Sequence, residues 1–249
     1  MKTSIIHELY KIRQQHILAY SSIVLLLLML YTALPTAYIT KQTVAQGFGI
    51  NQWVIIIMIA VSSNIVTMEY RDNTMSTLLY RNSNKVFPFL AKMITLLIAG
   101  ISLLIIGTLF SFILKFLLAH KYSWSMLLNH HSLLANFLAG LAGSIVYFLF
   151  TITLSLLLVV LTRSNAVVII TGLAIGFLGA DLSAVLMHGL PGISGLIAWN
   201  PLNMINVISP FANTISRVGL TTSQLIWGNL IYSVIFSLLG IYAFKHARV

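Results

Sequence analysis

The stretch that decides the fold is Glu69–Lys92, EYRDNTMSTLLYRNSNKVFPFLAK. It carries Glu69, Arg71, Asp72, Arg81, Lys85 and Lys92, while the chain on either side is nearly free of charge for about a span's length. Charged groups cannot stay unsatisfied in hydrocarbon, so a stretch like this between two apolar runs must lie in water or against another protein. It reads as a loop between two membrane spans. Within it, Met75, Leu78 and Leu79 share one helical face. Asp72, Asn73, Thr74 and Ser76 crowd the start, where free backbone N–H groups need acceptors. A short amphipathic helix and a solvated loop resting on the bilayer surface both fit this pattern, and periodicity does not separate them.

Composition extends the reading to the whole chain. Hydrophobic residues make up 59% and charged residues 7%, with a mean hydropathy of +0.97. A soluble globular domain carries about one charged residue in four, so that class is excluded. There is no cysteine, which rules out disulfides, thiolate nucleophiles and thiolate metal sites. The net charge of +10 is dispersed between spans rather than gathered on a face. It points to orientation in a membrane and not to nucleic acid.

Six spans are expected, at about 17–38, 52–68, 93–114, 133–161, 166–182 and 225–244, all within one transmembrane domain over residues 1–249. Residues 1–16 place Ile5, Ile6, Leu9, Ile12 and His16 on one face, with His7, Lys11 and Gln14 opposite and Arg13 snorkelling out of the apolar arc. This reads as an interfacial helix. A cleaved signal peptide is the rival, disfavoured by the length of the following run and the lack of a small-residue cleavage site close behind it. Of the fourteen Lys and Arg, all but Lys41, Lys115, Lys121 and Arg217 fall on one side of this layout. That side, with both termini and the 69–92 stretch, is therefore assigned to the cytoplasm. Gly140 and Gly143 are suited to close helix contact.

Residues 183–224 are neither span nor ordinary loop. Gly189, Pro191, Gly192, Gly195, Pro201, Pro210 and Gly219 cut an apolar composition into pieces too short to cross. Asn200–Pro201 and Ser209–Pro210 are helix-start signals, with a capping residue followed by a proline. Short helices dipping into the outer leaflet fit, as does a loop lying on the membrane surface.

At Glu69, Thr74, Leu78, Leu79, Lys85 and Lys92 the chain resembles the type-two ABC transporter permeases. Their signature between the second and third spans has an acidic residue, a Gly-Thr pair, a Leu-Leu pair, a Pro followed by a basic residue, and a Lys entering the next span. Asn73 stands where that pattern has Gly, and Asn82 where it has Pro. The resemblance implies an all-α integral membrane fold of six transmembrane helices, an N-terminal elbow helix, a cytoplasmic coupling helix and a re-entrant outer hairpin. It also implies an ATPase-coupling role for Glu69, Arg71, Asp72, Thr74, Met75, Leu78, Leu79 and Lys85. The lid over the substrate path would involve Pro191, Asn200, Pro201 and Pro210. The implied partners are a cytoplasmic ABC ATPase that binds ATP and Mg, a second copy or homologous permease, and the lipid bilayer. The implied location is a bacterial cell membrane.

The chain offers no chemistry of its own. It has no GxxxxGK[ST] phosphate loop, so no ATP site of that kind, and no enzyme activity or cofactor is expected. His130 and His131 are adjacent and lack a nearby carboxylate, so no metal site is expected. Asp181, near the outer end of its span, reads as structural. An intramembrane enzyme would want paired Glu or His within spans, and an ion-coupled transporter several buried charges at the midplane. Nearly charge-free spans instead suit an exporter of a hydrophobic or amphipathic cargo. Short members of the resembled family are commonly antimicrobial-peptide or peptide-toxin exporters or immunity pumps.

Overall fold

The computed structural model describes residues 2–35, 39–72, 74, 86–211 and 218–246, with the side chains of Lys2 and Thr3 left aside. Met75, Leu78, Leu79 and Lys85 therefore lie outside the described residues, so the amphipathic helix expected there is not among the elements below.

Helix α1 (Lys2–Gln14) leads through a turn at His16, whose φ of 52° is left-handed, into α2 (Ile17–Ala33). The two helices bend by 56° at this break. The first span was expected to reach residue 38, but α2 stops at Ala33, since Pro35 has no N–H to continue the helical bonding. A short helix α3 (Lys41–Ala45) precedes α4 (Ile50–Arg71) and α5 (Val86–Leu118). A two-rung hairpin, β1 (Leu127–Leu128) and β2 (His131–Ser132), follows; the sequence reading did not anticipate it. Its turn residues Asn129 and His130 both have positive φ, as a two-residue hairpin loop requires. Then come α6 (Leu133–Thr162), α7 (Asn165–Gly189), the short α8 (Ser194–Ile197) and α9 (Thr222–Lys245). Among the described residues five helices are long and apolar enough to cross a membrane, or six if α1 and α2 count as one bent span.

Helix α6 is the central post. It packs against α4, α5, α7 and α9, and Phe137, Tyr147, Phe148, Phe150, Ile152 and Val159 along it are wholly buried. Tyr147 stacks on Phe150, which meets Tyr232 and Phe236 of α9. The outward faces are as oily as the core, with Tyr20, Ile23, Leu27 and Tyr31 of α2 and Trp227, Ile231, Val234 and Leu238 of α9 exposed. A face of that kind belongs in lipid.

The fifth span was expected to end near residue 182. Helix α7 runs on to Gly189 instead, because no proline interrupts it before Pro191 and because Ser183 and Met187 find buried places. Two 3-10 turns follow, Pro191–Ile193 and Pro201–Ile208. The second is wedged among the long helices. A Cβ on Gly143 would run into the Val207 carbonyl, and one on Gly140 would meet the Ile208 carbonyl and the Asn51 amide. These glycines thus seat a 3-10 backbone rather than another long helix.

Gly143→Val should lower stability in detergent by about 1–3 kcal/mol, since the seat cannot give way without moving backbone. Gly176→Ala in α7, whose added Cβ would have Ile56 no nearer than 4.0 Å, should be neutral or raise the midpoint slightly. Thermal unfolding of the two variants side by side checks the contrast.

Candidate functional site

The 69–92 stretch was expected to meet water or a partner along its length, and its two ends do neither. Glu69, in the last turn of α4, and Lys92, two turns into α5, point into the chain's own interior, where their side chains are 5% and 1% exposed. Lys92 Nζ donates to Glu69 Oε1 at 2.5 Å and to Glu8 Oε1 of α1 at 2.8 Å. Lys11, one turn after Glu8, donates to Glu69 Oε1 at 2.6 Å and lies 3.5 Å from Glu8 Oε1. Two carboxylates and two ammonium groups therefore close a neutral cluster across three helices.

The placement runs against the local electrostatics. A carboxylate in the last turn of a helix meets the negative end of the helix dipole, so Glu69 needs compensating cations. Burial pulls the Lys11 pKa down, but the Glu69 and Glu8 carboxylates outweigh it, and Lys11 stands above its ordinary value of 10.5. The stability this provides is present at neutral pH and is lost only as pH rises through that raised value. The sequence reading placed Lys11 on the polar face of α1 and gave Glu8 no role. The usable signal was the Glu8–Lys11 spacing of three on one helix, in a chain with only four acidic residues.

Beyond the cluster, the described coupling residues Arg71, Asp72 and Thr74 turn outward. Arg71 and Asp72 form an exposed pair at 3.3 Å, and the Thr74 hydroxyl donates to the Glu69 carbonyl at 3.4 Å. The Arg163 guanidinium lies over the Tyr70 ring at 5.6 Å.

At Met68, the residue before Glu69, begins a groove of about 580 Å³ between the α1–α2 junction, α4 and α7. Tyr20, Val24, Ile57, Val61 and Ile169 supply its apolar wall, and Gln15, Ser21, Asn64 and Asn165 its polar points. Such a surface can hold a molecule with both an oily body and hydrogen-bonding groups.

At the opposite end of the bundle the 201–208 turn is held by amides. Asn200 caps it, its Oδ1 accepting from the Asn203 N–H at 2.9 Å while its Nδ2 donates to Ser183 Oγ at 2.9 Å. Asn203 Nδ2 donates to the Ala198 and Val218 carbonyls, both at 2.7 Å. Asn206 Nδ2 reaches Asn203 Oδ1, and Asn229 Nδ2 of α9 reaches the Met204 carbonyl. Pro201 takes the first position of the turn and Pro191 opens the preceding one, as their chemistry favours. Pro210 follows the 201–208 turn, where a helix start had been expected; residues 212–217 beyond it are outside the described set. Sequence reasoning found Asn200 and missed Asn203, Asn206 and Asn229. Asn200, Asn203 and Asn206 recur every third residue, the period of a 3-10 helix. The exposed Asp181 stands on α7, away from both ends of that helix.

A family model described as ABC-2 family transporter protein matches residues 4–179, well over half of the 249-residue chain. The chain belongs to the ABC-2 transporter family. A search among curated proteins found no match. As an ABC-2 protein the chain is a membrane component of an ABC transporter, of the kind that associates with an ABC ATPase and a bilayer. The matched region takes in the ionic cluster and the groove and ends before the 201–208 turn.

In this ABC-2 permease, removing Lys92 would leave Glu8 and Glu69 buried with Lys11 alone to balance them. Lys92→Met should therefore destabilise by about 3–5 kcal/mol, whereas Arg71→Ala, which breaks an exposed pair, should change little. Midpoints of thermal unfolding in detergent, measured for both variants, test this.

Proposed function

We propose that this ABC-2 permease is the membrane half of an ATP-driven exporter that works as a pair, with a second copy or a homologous permease, on an amphipathic cargo such as an antimicrobial or toxin peptide. The observation that carries the reading is the groove between α2, α4 and α7. It is open on one side, and it puts Ser21 and Asn64 among apolar side chains in spans that lipid alone would otherwise face. Polar groups at such a depth ask for water, a cargo or a facing permease. The excess of Lys and Arg at the end that holds the ionic cluster supports a cytoplasmic placing of that end, in a membrane that this reading takes to be a bacterial cell membrane.

In this reading α1 is the elbow helix, and the segment between α4 and α5 meets the ATPase, with Leu78 and Leu79 entering a groove on it. Glu69 supports that segment from inside the chain, and Arg71, Asp72, Thr74, Met75 and Lys85 complete the proposed coupling set. ATP and Mg belong to the ATPase. The re-entrant outer segment expected over residues 183–224 is in this reading the lid, with Pro191, Asn200, Pro201 and Pro210 at its bends and Asn203 holding it closed.

Burying two leucines at an interface is worth roughly 1.5–3 kcal/mol each. The double variant Leu78→Asp, Leu79→Asp should therefore weaken ATPase binding about a hundredfold or more while membrane levels stay normal, since each 1.4 kcal/mol is tenfold. Undiminished copurification of the ATPase would sink the coupling assignment. For the lid, Asn203→Ala leaves two carbonyls unsatisfied and should cost about 1–3 kcal/mol locally. Protease added from outside should then cut residues 190–221 faster than in the wild-type permease, and equal cutting rates would count against the lid. For the cargo, a cationic amphipathic peptide should stimulate ATP hydrolysis by the reconstituted complex, and a neutral sugar should not.

A further inference from the structure

Four charges meet at one point where three segments distant in sequence converge. Glu8 lies 84 residues before Lys92, and Lys11 lies 58 before Glu69. Glu69 and Lys92 stand at the facing ends of α4 and α5, so their bond fixes the spacing of the two helices from which the intervening segment springs. Glu8 and Lys11 reach the same oxygen and the same ammonium from α1. Helix α1 in turn passes through the 56° bend at His16 into α2, whose Ile17, Tyr20, Ser21 and Val24 wall the groove together with Gln15. A displacement of Glu69 relative to Lys92 cannot occur alone, because Lys11 and Glu8 would be left facing a buried charge without its counterpart. An ion left buried without its counterpart is strongly disfavoured, so α1 moves with the pair rather than staying behind.

We propose that Glu8 and Lys11 are positioning residues that slave α1, and through it the groove wall at Gln15–Tyr20, to the relative position of the α4 and α5 ends. The cluster is a mechanical link, and α1 is its output arm. This deepens the exporter reading and rests on it for the source of the motion, while the link itself can be tested without the ATPase.

The variant that separates linkage from folding is Glu8→Gln with Lys11→Met. It removes one charge of each sign and leaves Glu69 and Lys92 as a neutral buried pair. Its melting midpoint in detergent should stay within a few degrees of wild type, and hydrogen exchange across residues 133–162 should not change. In lipid nanodiscs, exchange in peptides covering 4–14 should rise tenfold or more. The same peptides should also respond to Glu69→Gln, whose substitution is on another helix. Unchanged protection of 4–14 in both variants overturns the link, whatever the fate of the exporter reading.

The second arm uses the permease reconstituted with its copurifying ATPase and a fluorescent cationic amphipathic peptide as the probe. The double variant should keep ATP hydrolysis within about twofold of wild type while peptide exported per ATP falls at least fivefold. A merely structural role would lower both together. Wild-type export per ATP in the double variant overturns the positioning role. A wild-type complex that hydrolyses ATP without exporting the peptide counts against the proposed function, and the exchange result then decides the link by itself.

Discussion

The structure depends on giving Lys92 somewhere to keep its charge. Its side chain is 1% exposed, and an ammonium taken from water with no partner would cost several kcal/mol. Two carboxylates from two other helices supply the partners, and a second lysine balances them. Apolar packing could hold α1, α4 and α5 together with equal strength. What the charges add is uniqueness: the three helices meet in one register that leaves no ion alone, and a slip of a single turn would strand at least one. An oily interface has no such penalty for being slightly wrong.

The two ends of the bundle solve the same problem with different chemistry. At one end charge neutralises charge. At the other, asparagine amides satisfy the carbonyls of an irregular segment, and Gly140 and Gly143 let its backbone come close. Between them α6 carries the packing, and buried hydroxyls such as Ser144, Thr151 and Thr153 bond back to its own carbonyls. Polar interactions sit where the backbone departs from long helices, and apolar ones where it does not, as a bilayer solvent demands.

Much of this was legible in the sequence. Long apolar runs separated by charge gave the spans, because in lipid a helix is the only open-chain way to satisfy the backbone. Errors gathered at the ends of elements. Helix α2 stops short where Pro35 withholds a donor, and α7 overruns because Ser183 and Met187 are paid for by partners far along the chain. The site was half legible. Glu69 and Lys92 stood out as charges flanking apolar runs, but their orientation inward depended on Glu8, whose contact is made 84 residues away and leaves no trace in local periodicity. Asn203, Asn206 and Asn229 were missed for the related reason that a polar residue in an apolar segment looks like a surface residue until its acceptors are known. The family resemblance, drawn from the 69–92 motif, was recovered over residues 4–179.

The spacing of Asn200, Asn203 and Asn206 also fixes the length of the turn they belong to. In a 3-10 helix three residues complete one revolution, so Asn203 and Asn206 fall on one side of the turn that Asn200 caps, Asn203 on the Ala198 and Val218 carbonyls and Asn206 on Asn203 itself. Rewound as an α-helix, the same eight residues would shorten by roughly 4 Å, since the rise per residue drops from about 2.0 to 1.5 Å. Asn206 would then fall about 60° short of Asn203 around the axis, and the two would no longer be in line. The reach of residues 201–208 is therefore set by winding number, and the bonds of Asn203 and Asn206 favour the longer winding.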